Sequence, residues 1–193
     1  MNFTTELDPE VSSVWDLHCP IVKSTDGRHV EVFLTDHIAT PNMYNELIFE
    51  LQQAKLGDEW TFYINNGGGA VDSAFFMINA IRNTKAHTTA KLSGTIASAA
   101  TIIALHCDDL EVSPYISFMC HNYFHGAQGT GNQVKDYVDF TDRELKRAFR
   151  SIYKNFLTDE EIQLVTERDK EVWLNELEVA ERWAKYKAAR DEV

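Results

Sequence analysis

The sequence predicts an α/β fold with a largely parallel sheet, because strand-like and helix-like segments alternate along much of the chain. Residues 60–64 (Trp-Thr-Phe-Tyr-Ile) are rich in aromatic and β-branched side chains, as buried strands are. A helical segment follows, with Val71, Ala74 and Ile78 on one face. The strand-like run 87–92 and the apolar run 101–105 repeat this order. Catalytic groups in such sheets collect where a strand ends and a helix begins.

The start of the chain differs from the rest in pattern. Residues 1–28 are mixed and polar, and we interpret them as an N-terminal arm that precedes a single domain over residues 29–193. Within the domain, residues 30–34 alternate like a strand, and a helical segment opens at Pro41. The strand at residues 60–64 is predicted to stop before Asn65, where a polar and glycine-rich stretch begins.

The last third of the chain is predicted to be mainly helical. Short strands are expected at residues 110–112 and 116–120, followed by a long helix over residues 132–157. Thr158 and Glu161 form a capping-box pattern for the next helix, and Asn175 with Glu178 forms a weaker one for the last. The long helix is expected to turn these apolar residues inward: Val134, Tyr137, Val138, Leu145, Phe149, Ile152 and Phe156.

Composition narrows the class of protein. The 193 residues are 44% apolar and 25% charged, which is typical of a globular domain. A net charge of −12 argues against a nucleic-acid binder, which would show a basic face. No apolar run is long enough to span a bilayer, and the N-terminus lacks the pattern of a secretory signal. These features, with three irregularly spaced cysteines, predict a cytoplasmic protein.

Ser98 is the first candidate for chemistry. It lies in the small-residue stretch 94–100 (Gly-Thr-Ile-Ala-Ser-Ala-Ala), immediately before an apolar helical run. A serine there has two interpretations. It is either an ordinary N-cap or a nucleophile at a helix N-terminus, where free N–H groups favour developing negative charge.

Other candidates lie near the predicted strand ends. Three consecutive glycines, Gly67–Gly69, allow backbone N–H groups to converge on an anion, although a plain tight turn is the alternative. His121 follows an apolar strand and is placed to serve as a base for Ser98, whereas His106 is expected to cap helix carbonyls and His125 to face solvent. Asp169 lies in a loop-like position between two helices.

Four segments together resemble the proteolytic subunit of the Clp protease, over about residues 30–186. They are residues 63–69 (Tyr-Ile-Asn-Asn-Gly-Gly-Gly), 94–99 (Gly-Thr-Ile-Ala-Ser-Ala), 119–121 (Met-Cys-His) and 167–169 (Glu-Arg-Asp). The family has Tyr-Ile-Asn-Ser-Pro-Gly-Gly, Gly-x-Ala-Ala-Ser-x-Gly, Met-Ile-His-Gln-Pro and Arg-Asp in the same order. The order and spacing of the four segments together are specific to the family, although no single segment is.

The resemblance implies a crotonase-like fold with repeated β-β-α units and a long handle helix, and a serine endopeptidase without a cofactor or metal. Ser98 would be the nucleophile, His121 the general base and Asp169 the orienting carboxylate. The backbone N–H groups of Gly69 and Ala99 would form the oxyanion hole. Peptides or unfolded proteins would be cut inside stacked heptameric rings of this chain, with a possible ATP-dependent unfoldase partner. Glu167 and Arg168 would contact another subunit.

Several positions depart from the family pattern. Gly67 replaces the motif proline, and His121-Asn122-Tyr123 replaces His-Gln-Pro. The segment before residue 29 does not resemble the family's axial loop, which would dock an unfoldase. We interpret the chain as a divergent member.

Alternatives to a working peptidase follow from these departures. A ring-forming scaffold with a misaligned triad is one, because small displacements cost large factors in rate. A crotonase-type acyl-CoA enzyme is another, since it shares the fold and an amide oxyanion hole. A zinc site among His106, Cys107, Cys120, His121 and His125 fits no standard ligand spacing. Cys120 is expected to be a buried hydrophobe rather than a nucleophile.

Overall fold

The computed structural model describes residues 21–24 and 26–191, and within these the chain forms one seven-stranded sheet with helices packed against it. The strands are β1 (Ile21–Lys23), β2 (His29–Ile38), β3 (Glu59–Gly69), β4 (His87–Ala97), β5 (Asp109–Val112), β6 (Ser117–Cys120) and β7 (Val172–Leu174). The helices are α1 (Asn45–Gln53), α2 (Val71–Asn83), α3 (Ala99–Ala104), α4 (Gly131–Tyr153), α5 (Asp159–Arg168) and α6 (Glu176–Asp191), with a 3-10 helix (Pro41–Tyr44) before α1.

The strand order is β1-β2-β3-β4-β6-β7, and β5 also pairs with β4. The central pairs β2–β3, β3–β4, β4–β5 and β4–β6 are parallel, whereas β1–β2 and β6–β7 at the two edges are antiparallel. The predicted α/β fold with a largely parallel sheet is therefore confirmed. Residues 1–20, most of the predicted N-terminal arm, lie outside the described residues.

The core lies between the sheet and its helices. Phe62, Leu92 and Phe118 come from three different strands and are fully buried. Every residue of α3 is buried as well, so this short helix is packed against other residues on all its faces. Such packing restricts the turn that leads into α3, and that turn contains Ser98.

Strands β3 and β4 are longer than the sequence predicted. Instead of stopping before Asn65, β3 continues through the glycines, and Gly69 pairs with Ile38 of β2. The pairing register of β3 with β4 shifts between Ile64 and Asn66, which is the mark of a bulge. Gly68 and Gly69 have φ of 96° and 146°, values that an L side chain rarely adopts. The glycines were predicted to end the strand. Because they have no Cβ, they instead allow β3 to continue to Gly69.

Helix α4 begins and ends close to its predicted bounds, but the prediction for its inward face was wrong in part. Tyr137 and Val138 are exposed, with Tyr137 at 54% of its maximum, whereas Phe149 and Ile152 are buried as expected. Only the last turns of α4 reach the core. The first turns project outward and present apolar side chains to the outside, including Phe140, which is 57% exposed.

The predicted helix starts are confirmed by their caps. The Thr158 hydroxyl accepts a hydrogen bond from the Glu161 N–H at 3.2 Å, and Glu161 accepts one from the Thr158 N–H at 2.9 Å. Asn175 accepts the N–H of Glu178 at 3.1 Å, and the Glu178 carboxylate accepts the Asn175 N–H at 2.9 Å. These reciprocal bonds satisfy N–H groups that a helix start leaves without an intrahelical partner.

Candidate active site

Ser98 occupies the turn between β4 and α3 in a strained backbone conformation, with φ of 55° and ψ of −125°. Its hydroxyl makes no capping bond to α3, so the N-cap interpretation does not describe its side chain. The Ser98 N–H donates to the Met119 carbonyl at 2.8 Å, and its own carbonyl accepts from the Thr101 N–H at 3.0 Å. The backbone is thus held by the core, and strained conformations of this kind cluster at functional sites.

Gly68 explains how β3 can approach this turn. A Cβ built on Gly68 would lie 2.6 Å from the Ser98 Cβ and 2.8 Å from the Ala97 carbonyl oxygen. The Gly68 N–H donates to the Asn66 side-chain oxygen at 2.8 Å, which fixes the glycine at this place. The glycine stretch is therefore not a plain tight turn. It is a strand that packs its bare backbone against Ser98.

His121 completes a pair with Ser98. It directly follows β6, and its Nε2 lies 2.6 Å from the Ser98 Oγ. When Nδ1 carries the ring proton, the hydroxyl donates to Nε2, which is the arrangement that activates a serine. Burial lowers the pKa of the half-buried His121, and the negative charge of Glu171 opposes that shift. The imidazole is consequently neutral at neutral pH and can accept the proton.

Asp169 is placed differently from the other candidates. It ends α5 in a left-handed conformation with φ of 49°, and its Oδ1 accepts a hydrogen bond from the Asn122 Nδ2 at 2.7 Å. Among the described residues no hydrogen bond or ion pair joins Asp169 to His121. The structure thus brings Ser98 and His121 together and sets Asp169 against Asn122. The only indication of this contact in the sequence was that position 122 is Asn where the family pattern has Gln.

A cavity of about 320 Å³ opens above the pair. Gly69 and Ala99, the two predicted sources of oxyanion N–H groups, line it together with Ser98 and His121. The rest of its wall is mostly apolar and includes Val71, Ile102, Phe149 and Tyr153. An apolar side chain of a ligand fits such a wall, with the polar backbone groups at one end.

The two residues expected at a subunit contact lie at the exposed end of α5. The Glu167 carboxylate binds the Arg150 guanidinium of α4 and lies 3.9 Å from the Lys146 Nζ. Arg168 is exposed and forms no ion pair within the described part of the chain. Glu167 therefore ties α5 to α4 within one chain, while Arg168 points to the outside.

Three other residues considered in the sequence, His106, Cys120 and His125, have different environments. His106 Nδ1 donates to the Ile102 carbonyl at 2.7 Å, as predicted for a helix cap, and burial lowers its pKa to about 4. Cys120 is fully buried, and burial raises the pKa of its thiol to about 12. His125 is half-buried and stacks on Tyr123 at 5.1 Å between ring centroids, so the prediction that it faces solvent was wrong in part.

Glu171 was not singled out in the sequence. It is exposed, lines a second cavity together with His121 and Asp169, and accepts a hydrogen bond from the Trp173 indole N–H at 2.9 Å. Its closeness to His121 depends on the pairing of two strands that lie far apart in the chain. Local sequence patterns do not predict that pairing.

Comparison with known proteins gives a family. The sequence model of the Clp protease family matches residues 24–182. A curated relative, the ATP-dependent Clp protease proteolytic subunit 2 of Borreliella burgdorferi, is 22% identical over 135 residues, which cover 69% of this chain and 68% of the relative. Within the described residues, no helix combines the length and apolar character needed to cross a membrane.

Proposed function

Because this chain belongs to the Clp protease family, whose sequence model matches most of it, we propose that it is a serine endopeptidase acting through Ser98 and His121. The family and the mixed α/β fold with its long helix α4 support a peptidase of the Clp proteolytic type in general. The observation that carries the specific proposal is the 2.6 Å contact between His121 Nε2 and Ser98 Oγ.

The first step is acylation. His121 Nε2 takes the hydroxyl proton as Ser98 Oγ attacks the carbonyl carbon of the scissile peptide. The carbonyl oxygen becomes an oxyanion, which the N–H groups of Gly69 and Ala99 are proposed to bind. When the C–N bond breaks, the imidazolium returns the proton to the leaving amine, and Ser98 holds the acyl group as an ester.

The second step is hydrolysis of that ester. A water molecule donates its proton to the neutral His121 as its oxygen attacks the acyl carbon. Collapse of the intermediate breaks the ester bond, and the proton on the imidazolium returns to Ser98 Oγ. Asp169 is the proposed orienting carboxylate for His121, a role that requires one of its two carboxylate oxygens to reach the ring N–H at His121 Nδ1.

We also propose that the chain works as a cytoplasmic homo-oligomer of stacked heptameric rings, which cuts peptides or unfolded proteins delivered, in part, by an ATP-dependent unfoldase. The exposed apolar side chains on the projecting part of α4 support an assembly, since Tyr137 and Phe140 lack cover in the single chain. Arg168 and Glu167 lie beside this helix and are the proposed polar contacts of that assembly. The division at residue 28 between an N-terminal arm, or axial segment, and the peptidase domain stays a prediction.

One observation favours a second candidate, a ring-forming subunit with little or no activity. Asp169 is held by Asn122 rather than by His121, so the triad is incomplete in the described conformation. An orienting carboxylate contributes a large factor to acylation in serine peptidases. A subunit that kept this arrangement in its assembly would be a poor enzyme.

A fluorophosphonate probe separates the two candidates. We expect covalent labelling of the wild-type protein, loss of labelling in Ser98→Ala, and a particle much larger than one 22.1 kDa chain in a sizing experiment. Labelling that persists in Ser98→Ala contradicts the assignment of the nucleophile. A large particle that is neither labelled nor active on peptides supports the inactive subunit.

A further inference from the structure

The strand pair β6–β7 places an acidic residue across from the proposed base. These strands are antiparallel, with Met119 opposite Trp173 and Cys120 opposite Val172. Continuing the same register by one residue sets His121 opposite Glu171. Side chains directly opposite one another in an antiparallel pair lie on the same face and within interaction distance.

The side chains of β6 and β7 alternate between buried and more exposed, as this pairing register requires. Cys120 and Val172 face the core, whereas the flanking residues on both strands turn to the other side. On that side Trp173 donates its indole N–H to the Glu171 Oε2 at 2.9 Å. The indole thus holds the carboxylate beside the edge of the sheet from which His121 projects.

The charged groups around His121 come from α4, from the end of α5 and from the residue that precedes β7. The titratable side chains lining the cavity with His121 are Tyr123, His125, Asp142, Lys146, Asp169 and Glu171. From α4, Asp142 accepts the Tyr123 hydroxyl at 2.7 Å and lies 3.0 Å from the Lys146 Nζ. From the end of α5, Asp169 accepts the Asn122 amide. Glu171, like Asp169, accepts its hydrogen bond from an uncharged donor, and it forms no ion pair with a cation in the part of the chain that the structure describes.

We propose that Glu171 is a positioning residue for His121, a carboxylate set across the β6–β7 pair that favours the imidazolium formed during acylation. The proposal rests on the proposed function of Ser98 and His121. Glu171 is not among the residues that line the Ser98 cavity, so its proposed effect passes through the imidazole. Trp173 serves the same end by keeping the carboxylate near β6.

The electrostatics agree with this geometry. The negative charge of Glu171 raises the pKa of His121, against the larger lowering by burial. Removing the charge leaves burial unopposed. The imidazole then becomes a weaker base, and the imidazolium formed in the transition state loses a favourable interaction.

The test compares Glu171→Gln with wild type in fluorophosphonate labelling across pH. We expect the labelling rate at neutral pH to fall about threefold to tenfold, and the acid limb of the profile to move to lower pH by up to about one unit. Glu171→Asp should restore part of the rate. Trp173→Phe, which removes the indole donor, should shift the profile in the same direction by less than Glu171→Gln does.

A matched control and a second readout keep the outcomes distinct. Glu46→Gln, on the exposed face of α1, removes the same charge far from the site and should leave the profile unchanged. Titration of the His121 ring by NMR, assigned with His121→Asn, should show a lower pKa in Glu171→Gln whether or not the protein is labelled. An absence of Ser98 labelling in wild type, with that NMR shift present, contradicts the proposed function and leaves the influence of Glu171 on His121 supported.

Two results would overturn the inference. One is a Glu171→Gln profile and His121 titration that superimpose on those of wild type, with Asp169→Asn alone impairing labelling. The other is a loss of rate without any shift of the acid limb or of the His121 titration, accompanied by a lower melting temperature. The first result assigns the role to Asp169, and the second reduces Glu171 to a structural partner of Trp173.

Discussion

Gly68→Ala tests whether the glycine-containing end of β3 positions Ser98. The added Cβ would lie 2.6 Å from the Ser98 Cβ, 2.8 Å from the Ala97 oxygen and 3.1 Å from the Ala99 nitrogen. Carbon atoms in contact normally sit about 3.5–4.0 Å apart, so Ser98 and Gly68 must separate by roughly 1 Å. The backbone at Gly68, with φ of 96°, is strained for alanine as well.

These distances set the expected size of the effect. Overpacking in a core costs about 1–3 kcal/mol and a strained residue about 1–3 kcal/mol, so we expect the free energy of unfolding to fall by about 2–6 kcal/mol. A displacement of about 1 Å at a catalytic atom lowers a rate about 100-fold, and we expect that drop in fluorophosphonate labelling. Urea unfolding and labelling under folded conditions measure the two effects separately.

Two other glycines provide controls. Nothing lies within 4 Å of a Cβ built on Gly67 or on Gly131, and neither has a positive φ. Gly67→Ala should therefore leave the free energy of unfolding within about 0.5 kcal/mol of wild type, as surface substitutions do. Gly131→Ala, at the start of α4, should leave both stability and labelling intact. A Gly68→Ala protein with wild-type stability and labelling rate would refute the argument that β3 positions Ser98.

Two further predictions concern pH. Since burial lowers the pKa of His121, the labelling rate of Ser98 should rise with pH along a limb centred below about 6.5 and level off by neutral pH; a limb centred above 6.5 contradicts a buried base. Burial also lowers the pKa of His106 to about 4, so the unfolded chain takes up a proton at higher pH than the folded one, and stability is lost as pH falls from about 6.5 toward 4. Between pH 7 and pH 5 this linkage lowers the free energy of unfolding, measured in urea, by about 2 kcal/mol. A His106→Gln protein should lose that part of the pH dependence of stability. If the free energy of unfolding changes equally with pH in both proteins, His106 is not the group responsible.

The parts of the molecule that the sequence predicted are those with local causes. Alternation of strands and helices, the capping boxes at Thr158 and Asn175, and the placement of His121 at a strand end all depend on neighbours within a few residues. The Ser98–His121 contact was also anticipated, because the carboxyl ends of parallel strands meet at one edge of the sheet.

The parts that were missed depend on distant pairing. The continuation of β3 through Gly68 requires β2 beside it, and no local rule distinguishes such a strand from a turn. The exposure of Tyr137 follows from the projection of α4 away from the body, although its helical spacing predicted a buried face. The proximity of Glu171 to His121 comes from the register of β6 with β7, strands about fifty residues apart.

Ser98 and His121 are both positioned by β6, whereas Asp169 is positioned by α5. The Ser98 N–H donates to the Met119 carbonyl of β6, and His121 leaves the end of that same strand, so their mutual distance is set within the sheet. Asp169 instead ends α5, which Glu167 ties to Arg150 of α4. A change at α4, such as its proposed cover by a second copy of the chain, would therefore act on the position of Asp169 through α5. Helix α4 also reaches the residues around the pair directly, because its Tyr153 hydroxyl lies 2.9 Å from the Thr101 hydroxyl and its Asp142 accepts a hydrogen bond from Tyr123, so the proposed assembly would act on the site through α4 as well as through α5.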